Sequence, residues 1–409
     1  MTTSRSVMDS VEAHLADILA TIRPLQPREL PLTEALGAVL TGDVTAQYAL
    51  PSFDNSAMDG YALRAEDVAG ATEEHPAVLP VDGEIPAGDT SHHDLVSGRV
   101  IRIMTGAPLP AGANAVVPVE LTDGGTSQVA VRHAVAEGDS VRRAGGDAQP
   151  GDLLISAGTR LGAVHIGLLA ASGRGSVLAR PRPRVTVIST GDELVEPGGS
   201  LIPGQIWESN GTMLAAAARE AGCPARRYPI VRDTPEAVLA ATRDALAGAD
   251  LLITSGGVSM GGEHDVVKAA LQTLGTVRFR SVAMQPGMPQ GFGTLGRDET
   301  PIFTLPGNPV SSYVSFTLFV RPALDALQDF DEKRGNPRQA VLTQPVRSPA
   351  SKRSFLRGIL DAAAGLVTPL SGQMSHQLAS LARANALVIV PESVTSLPAG
   401  ETVEVLELP

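Results

Sequence analysis

The sequence predicts a multidomain α/β plus β protein. It has a parallel α/β sheet domain, an inserted β-rich module, an elongated N-terminal domain and a C-terminal β-barrel. Three observations lead there. The 409 residues exceed what one compact core holds. From about residue 181 apolar strand-like runs alternate with helical patterns. On either side of the helical stretches lie short apolar runs cut by Gly and Pro turns.

In chain order, residues 6–22 read as a helix, with Val7, Val11, Leu15 and Ile18 on one face, Ser6 as cap and Pro24 as stop. A second short helix is expected from Thr33, with Leu36, Val39 and Leu40 inward. Residues 46–141 carry short runs such as Val100-Ile101-Arg102-Ile103 and Ala115-Val116-Val117 between glycine and proline turns. This stretch reads as an insertion, because helical texture resumes over 161–172. Residues 1–45 and 142–180 therefore form the elongated domain and 46–141 the module.

The arginine–proline alternation at 180–184 is a stiff hinge into the α/β domain, residues 181–332. Strands are expected at 185–189, 225–231, 250–254 and 302–305, and helices at 211–221, from Thr234-Pro235, at 266–274 and at 310–319. Residues 333–409 hold short strands near 341–342, 358–360, 386–390 and 403–406, and read as a barrel-like domain.

Composition narrows the function. Apolar residues make up 43% and charged residues 19%, a globular balance. A net charge of -12 and 3% aromatics argue against nucleic-acid binding. The single cysteine, Cys223, excludes a disulfide framework or cysteine metal site and reads as a small buried thiol. No run is apolar enough to span a membrane, and the N-terminus has no signal core, which places the chain in the cytoplasm.

Ligands of parallel α/β sheets bind beyond the carboxyl ends of the strands. Three such ends carry unusual residues: Ser189-Thr190-Gly191-Asp192-Glu193, Thr254-Ser255-Gly256-Gly257-Val258-Ser259 running on to Glu263-His264-Asp265, and Leu305-Pro306-Gly307-Asn308-Pro309-Val310-Ser311. Glycines allow close backbone approach, and loop N–H groups hold phosphate. Any one loop reads as a turn, with Asn308 and Ser311 capping a helix; three at one sheet edge read as a crevice. Asp192, Glu193 and Asp265 are solvated loop acids or ligands of a Mg²⁺ that bridges them to a phosphate. His264 lacks a second histidine at ligand spacing, and Met284 and Met288 read as packing residues. Residues 54–62 and 104–108 are polar and turn-rich: either two surface turns or loops that complete a site.

The motifs DNSAMDGYA (54–62), IMTGAPLP (103–110), STGDEL (189–194), VRDT (231–234), SGGVS (255–259), LPGNPVSS (305–312) and QMSHQLASLARANALVIVP (373–391) run through most of the chain in order. RRAGGDAQPGDLLISAGTRL (142–161) lies between the second and third. Together they resemble the MoeA family of molybdopterin molybdenumtransferases, related to the E domain of gephyrin. The resemblance implies that the α/β domain is of molybdopterin-binding type. It implies a homodimer whose site combines one subunit's α/β domain with the other's β-module. It also implies insertion of molybdate into adenylylated molybdopterin with release of AMP, and the adenylyltransferase and apo-molybdoenzymes as partners.

Carried over by position, Asp265 lies nearest the chemistry, holding a metal ion or the hydrolytic water. Glu193, with Asp192, is a metal or molybdate residue, Asp233 a further polar one, and Asp59 and Thr105 come from the partner's module. Thr190, Gly191, Gly256, Gly257, Ser259, Pro306, Gly307, Asn308, Pro309 and Ser311 cradle the pterin phosphate end.

Two departures stand out. Where many relatives have Lys-Pro-Gly-Lys-Pro, this chain has Gln285-Pro286-Gly287-Met288-Pro289, leaving Lys268, Arg278 or Arg280 to compensate. The segment 261–265 is one residue longer than usual, so Glu263 stands as the alternative to Asp265. Two rivals remain. A non-catalytic scaffold of the same fold is favoured by the missing lysines and opposed by the retained acids. An adenylylating or nucleotide-hydrolysing relative is opposed by the extra domains.

Overall fold

A computed structural model describes residues 8–256, 266–272, 276–330 and 337–409. The chain divides into two compact units: residues 1–29, 37–39 and 178–409 in one, and residues 30–36 and 40–177 in the other.

The larger unit is organised by a six-stranded sheet. Its elements are β1 (Val185–Ser189), α1 (Asn210–Glu220), β2 (Ala225–Arg227), α2 (Pro235–Leu246), β3 (Leu251–Ser255), α3 (Val266–Gln272), β4 (Arg278–Ser281), β5 (Pro289–Leu295), β6 (Thr300–Leu305) and α4 (Pro309–Ser315). The strand order is β2-β1-β3-β6-β5-β4. β1 pairs parallel with β2 and β3, and β3 with β6; β5 and β4 join antiparallel. The expected parallel sheet thus gains an antiparallel edge pair that periodicity did not predict.

β1 and β3 are buried on both faces, so alternate residues feed different cores. Val185, Val187, Leu251, Ile253, Phe303 and Leu305 pack with Leu214 of α1 and Val310 of α4. Ile188, Leu252 and Ile302 pack with Val238 of α2 and Val267 of α3. α2 begins where predicted, with Thr234 accepting from the Ala237 N–H and Pro235 in its first turn. After α1 the chain moves out to β2, and after α2 it crosses back to β3. The direction switches between β1 and β3, where such sheets leave a crevice.

The N-terminal helix spans Val11–Thr21 and packs Val11 and Ile18 into the first core. Its cap is Ser10, which accepts from the Ala13 N–H at 3.0 Å; Ser6 lies outside the described residues. The helix expected from Thr33 is absent: the segment forms turns and the strand Val39–Leu40, with Gly37 at φ +77.

Residues 337–409 form a closed barrel of β7 (Arg338–Leu342), β8 (Arg353–Asp361), β9 (Leu366–Pro369), β10 (Ala386–Val390) and β11 (Thr402–Glu407). The ring runs β8-β9-β7-β11-β10 and back to β8. A short strand of the preceding domain, Met284–Gln285, pairs parallel with the start of β8.

The smaller unit centres on a five-stranded sheet in the order Ala115–Pro118, Gly60–Leu63, Val100–Ile103, Ala77–Ile85, Gln128–Val131. Gly60 is required where it stands, since a Cβ there would lie 2.0 Å from the Val117 carbonyl oxygen. Among the described residues no helix is long and apolar enough to cross a membrane.

Candidate active site

In the larger unit the ends of β1, β3 and β6 converge. The Thr190 N–H donates to the Ser255 carbonyl at 3.2 Å, and the Gly191 N–H to that of Val231 at 3.2 Å. Gly256 has φ +99, and a Cβ on it would stand 2.7 Å from the Thr190 carbonyl oxygen. A Cβ on Gly307 would stand 3.6 Å from the Gly256 Cα. The two glycines let the three loops meet with exposed backbone between them.

Two residues that sequence reasoning missed hold this edge together. Asn210, at the start of α1, donates to the Ser255 hydroxyl at 3.0 Å and to the Gly307 carbonyl at 2.6 Å. Glu208, 2% exposed, accepts from the Ser189 hydroxyl, the N–H groups of Gly211 and Thr212, the Thr212 hydroxyl and Arg227. Its carboxylate satisfies first-turn donors of α1 and ties that helix to β1 and β2.

Asp192 and Glu193 are exposed beyond β1. An Asp192 carboxylate oxygen accepts from the Asp233 N–H at 3.3 Å, bringing two predicted residues together. The Thr190 hydroxyl and Asn210 Oδ1 are buried without a hydrogen-bond partner among the described residues. Gly257, Ser259, Glu263, His264 and Asp265 lie outside the described residues.

Pro306, Gly307, Asn308 and Ser311 line a cleft of about 440 Å³. Asn308 sits at the N-cap of α4, yet its side chain makes no capping hydrogen bond. The opposite walls are the segment 284–289 and, from the barrel, Lys352, Gln373, Met374 and Ser375. Pro309 begins α4 beside this cleft. Behind the barrel wall Arg357 is fully buried. It donates to the Ser380 hydroxyl and to the carbonyls of Gly372 and Met374, and its Nη1 has no partner among the described residues. Burial pulls this guanidinium below its ordinary pKa.

The three cations expected to compensate for Gln285 and Met288 do not line this cleft. Arg280 is ion-paired with Asp9 and Asp17, Lys268 lies over the Phe279 ring, and Arg278 lines a separate cavity with His14. Met284 is buried, as expected of a packing residue, and Met288 lines the cleft.

In the smaller unit the two polar motifs form one structure. The Gly106 N–H donates to the Ser56 carbonyl at 2.8 Å, and the Leu109 N–H to that of Asp54 at 3.0 Å. Asp59 accepts from both the backbone and the hydroxyl of Thr105, at 2.7 Å each. These bonds, the backbone one first, hold the Asp59 carboxyl below the usual range.

Three family models match in order: the MoeA N-terminal region, domains I and II, over 9–173; a probable molybdopterin binding domain over 186–326; and the MoeA C-terminal region, domain IV, over 339–408. Molybdopterin molybdenumtransferase 2 of Mycobacterium tuberculosis is 46% identical over 407 residues, covering 98% of this chain and all of the relative. The molybdopterin molybdenumtransferase of Bacillus subtilis is 37% identical, covering 92% of this chain and 88% of its own. Two crystal structures of molybdopterin biosynthesis MoeA proteins from Pyrococcus horikoshii superpose with TM-scores of 0.75 and 0.72 at 33% and 27% identity. Each spans 98% of this chain and at least 99% of its own. With these matches running from the N-terminal region to the barrel, the chain belongs to the MoeA family of molybdopterin molybdenumtransferases.

Proposed function

We propose that this chain inserts molybdate into adenylylated molybdopterin with release of AMP, the final step of molybdenum cofactor biosynthesis, as a cytoplasmic homodimer. The observation that carries this reading is the 46% identity to a molybdopterin molybdenumtransferase across that relative's whole length. The crevice at the ends of β1, β3 and β6 supports it, because it offers backbone and unused polar groups to a phosphorylated ligand.

The chemistry is divided among the chain's own groups. Gly256, Gly257 and Gly307 admit the phosphate end close to the backbone, with Thr190, Gly191, Ser259, Pro306, Pro309, Asn308 and Ser311 around it. Asp265 orients the water that cleaves the phosphoanhydride, with Glu263 as its alternate. Asp59 and Thr105 complete the site from the partner subunit, and Asp233 positions Asp192 through its N–H. Among the described residues no three acidic or imidazole groups converge on one point. The adjacent carboxylates Asp192 and Glu193 fit a Mg²⁺ that keeps most of its waters and takes phosphate oxygens. When bound, that ion supplies charge neutralisation at the phosphoanhydride. We also read four domains, with the boundaries given by the sequence.

The test is to incubate the full chain with adenylylated molybdopterin, Mg²⁺ and low molybdate, alongside Asp265→Asn. AMP release and activation of an apo-molybdoenzyme should both depend on molybdate and vanish in the variant. Pterin binding without either signal at any molybdate concentration would establish the scaffold instead.

A further inference from the structure

We propose that Lys352 binds the oxyanion in the 440 Å³ cleft between the segment 284–289, the start of α4 and the barrel. It supplies from the barrel wall the positive charge that the loop residues Gln285 and Met288 lack. The proposal rests on the molybdate-inserting reading and names a residue that reading leaves unassigned.

Four observations carry it. Lys352 is the only formally charged residue lining the cleft among the described residues; the rest of the lining is apolar, amide, hydroxyl or backbone. It is half-buried, and its ammonium has no hydrogen bond or ion pair with any described residue. The adjacent Arg353, by contrast, is paired with Glu12 and Glu392. Its place is fixed by strand pairing, with Met284 opposite Arg353, Gln285 opposite Ser354, and the Arg353 N–H donating to the Ala283 carbonyl at 2.8 Å. Finally, the buried Arg357 behind the same wall donates to no carboxylate among the described residues, so it adds positive potential there.

A half-buried ammonium with no counter-charge among the described residues is available to pair with an anion that enters the cleft. A tetrahedral dianion fits the donors around it: three ammonium hydrogens, the hydroxyls of Ser311 and Ser375 and the amide of Asn308. Among the described residues the lining offers no carboxylate to repel it. Lysine suits this task, because as a point charge it makes no demand for a planar, bidentate partner.

The test uses the full chain and molybdate, with bound metal read after equilibrium dialysis and KM for molybdate read from AMP release. Lys352→Gln should raise the dissociation constant and KM about tenfold or more, the weight of one charge-assisted contact, with kcat changed far less. Lys352→Arg should recover part of the loss, and Gln285→Lys added to Lys352→Gln should restore binding from the strand paired beside it. Gln285 is exposed, so Gln285→Glu reads the proposal even if Lys352→Gln does not fold. It gives Lys352 a carboxylate partner and should weaken molybdate binding at an unchanged melting temperature. If the wild type releases AMP on molybdate while Lys352→Gln and Gln285→Glu keep its dissociation constant and KM, the role of Lys352 is refuted and the functional reading stands. If the wild type releases none, that reading falls and takes this one with it.

Discussion

Asp59 and Thr105 are 46 residues apart in sequence, yet one carboxylate oxygen of Asp59 accepts both the N–H and the hydroxyl of Thr105 at 2.7 Å. Both residues are exposed, so the pair holds a charge in a fixed direction at the surface of the module. Asp59→Asn should lower molybdate-dependent AMP release at least about tenfold with the melting temperature unchanged, the loss expected for one positioned charge. Thr105→Val keeps the backbone bond and should cost less. Equal activity of Asp59→Asn and wild type in initial-rate assays would remove this loop from the mechanism.

Stability should fall in mild acid because of His14. Its ring is 4% exposed and stands edge-on to Phe319 at 4.8 Å. Burial, with the nearby Arg280 charge, pulls its pKa down to about 4 against the attraction of Asp9 and Asp17. A group whose folded pKa is depressed takes up protons first in the unfolded chain. Its contribution is therefore complete above about pH 6.5 and is lost as pH falls toward 4. Between pH 7 and 5 the loss is about 2 kcal/mol. Urea unfolding at the two pH values should show it, and His14→Leu should flatten the difference.

Glu208 should be intolerant of a single-atom change. Glu208→Gln puts an amide donor where the carboxylate accepts from five groups and leaves Arg227 with one acid partner, Glu196. The expected cost is about 3 kcal/mol, read as a lower denaturant midpoint. A midpoint within error of wild type would mean that α1 is anchored otherwise.

Gly256→Ala should damage both stability and ligand binding. The residue sits at φ +99, where L side chains are strained, and the new methyl would press on the Thr190 carbonyl. A loss of about 1–3 kcal/mol is expected. Binding of adenylylated molybdopterin, followed by calorimetry, should weaken with it; unchanged affinity would place the phosphate end elsewhere.

Chelation should slow AMP release if Asp192 and Glu193 hold Mg²⁺. Added Mg²⁺ should restore the rate, and Asp192→Asn should raise the concentration needed several-fold. A rate indifferent to chelator would rule the ion out.

Where burial and local chemistry agree, the sequence is easily read. All five residues of β1 are buried, and the strand falls at 185–189 as its apolar run predicts. The start of α2 is legible because Thr234 and Pro235 act through their immediate neighbours. β5 escaped because Gln290-Gly291-Phe292-Gly293-Thr294 looks like a turn. Its glycines are there for contact: a Cβ on Gly291 would meet Phe279 and Thr304 at 2.8 Å, and one on Gly293 the Thr276 carbonyl at 2.6 Å. The site divides the same way. Glycine clusters at strand ends were visible, as were Asp59 and Thr105 by resemblance. Glu208, Asn210 and Lys352 were not, because each reaches the site from another segment and leaves no local pattern.

The pairing of Met284–Gln285 with β8 makes the barrel share its hydrogen-bond ladder with the preceding domain. The cleft wall is therefore stitched from two stretches of sequence about 70 residues apart, not hung on a linker. Anyone exchanging this barrel for a relative's would have to carry residues 282–289 across with it. A graft cut only at the linker would join a foreign β8 to a native partner it was never shaped to meet, and the cleft would lose its register before it lost its fold.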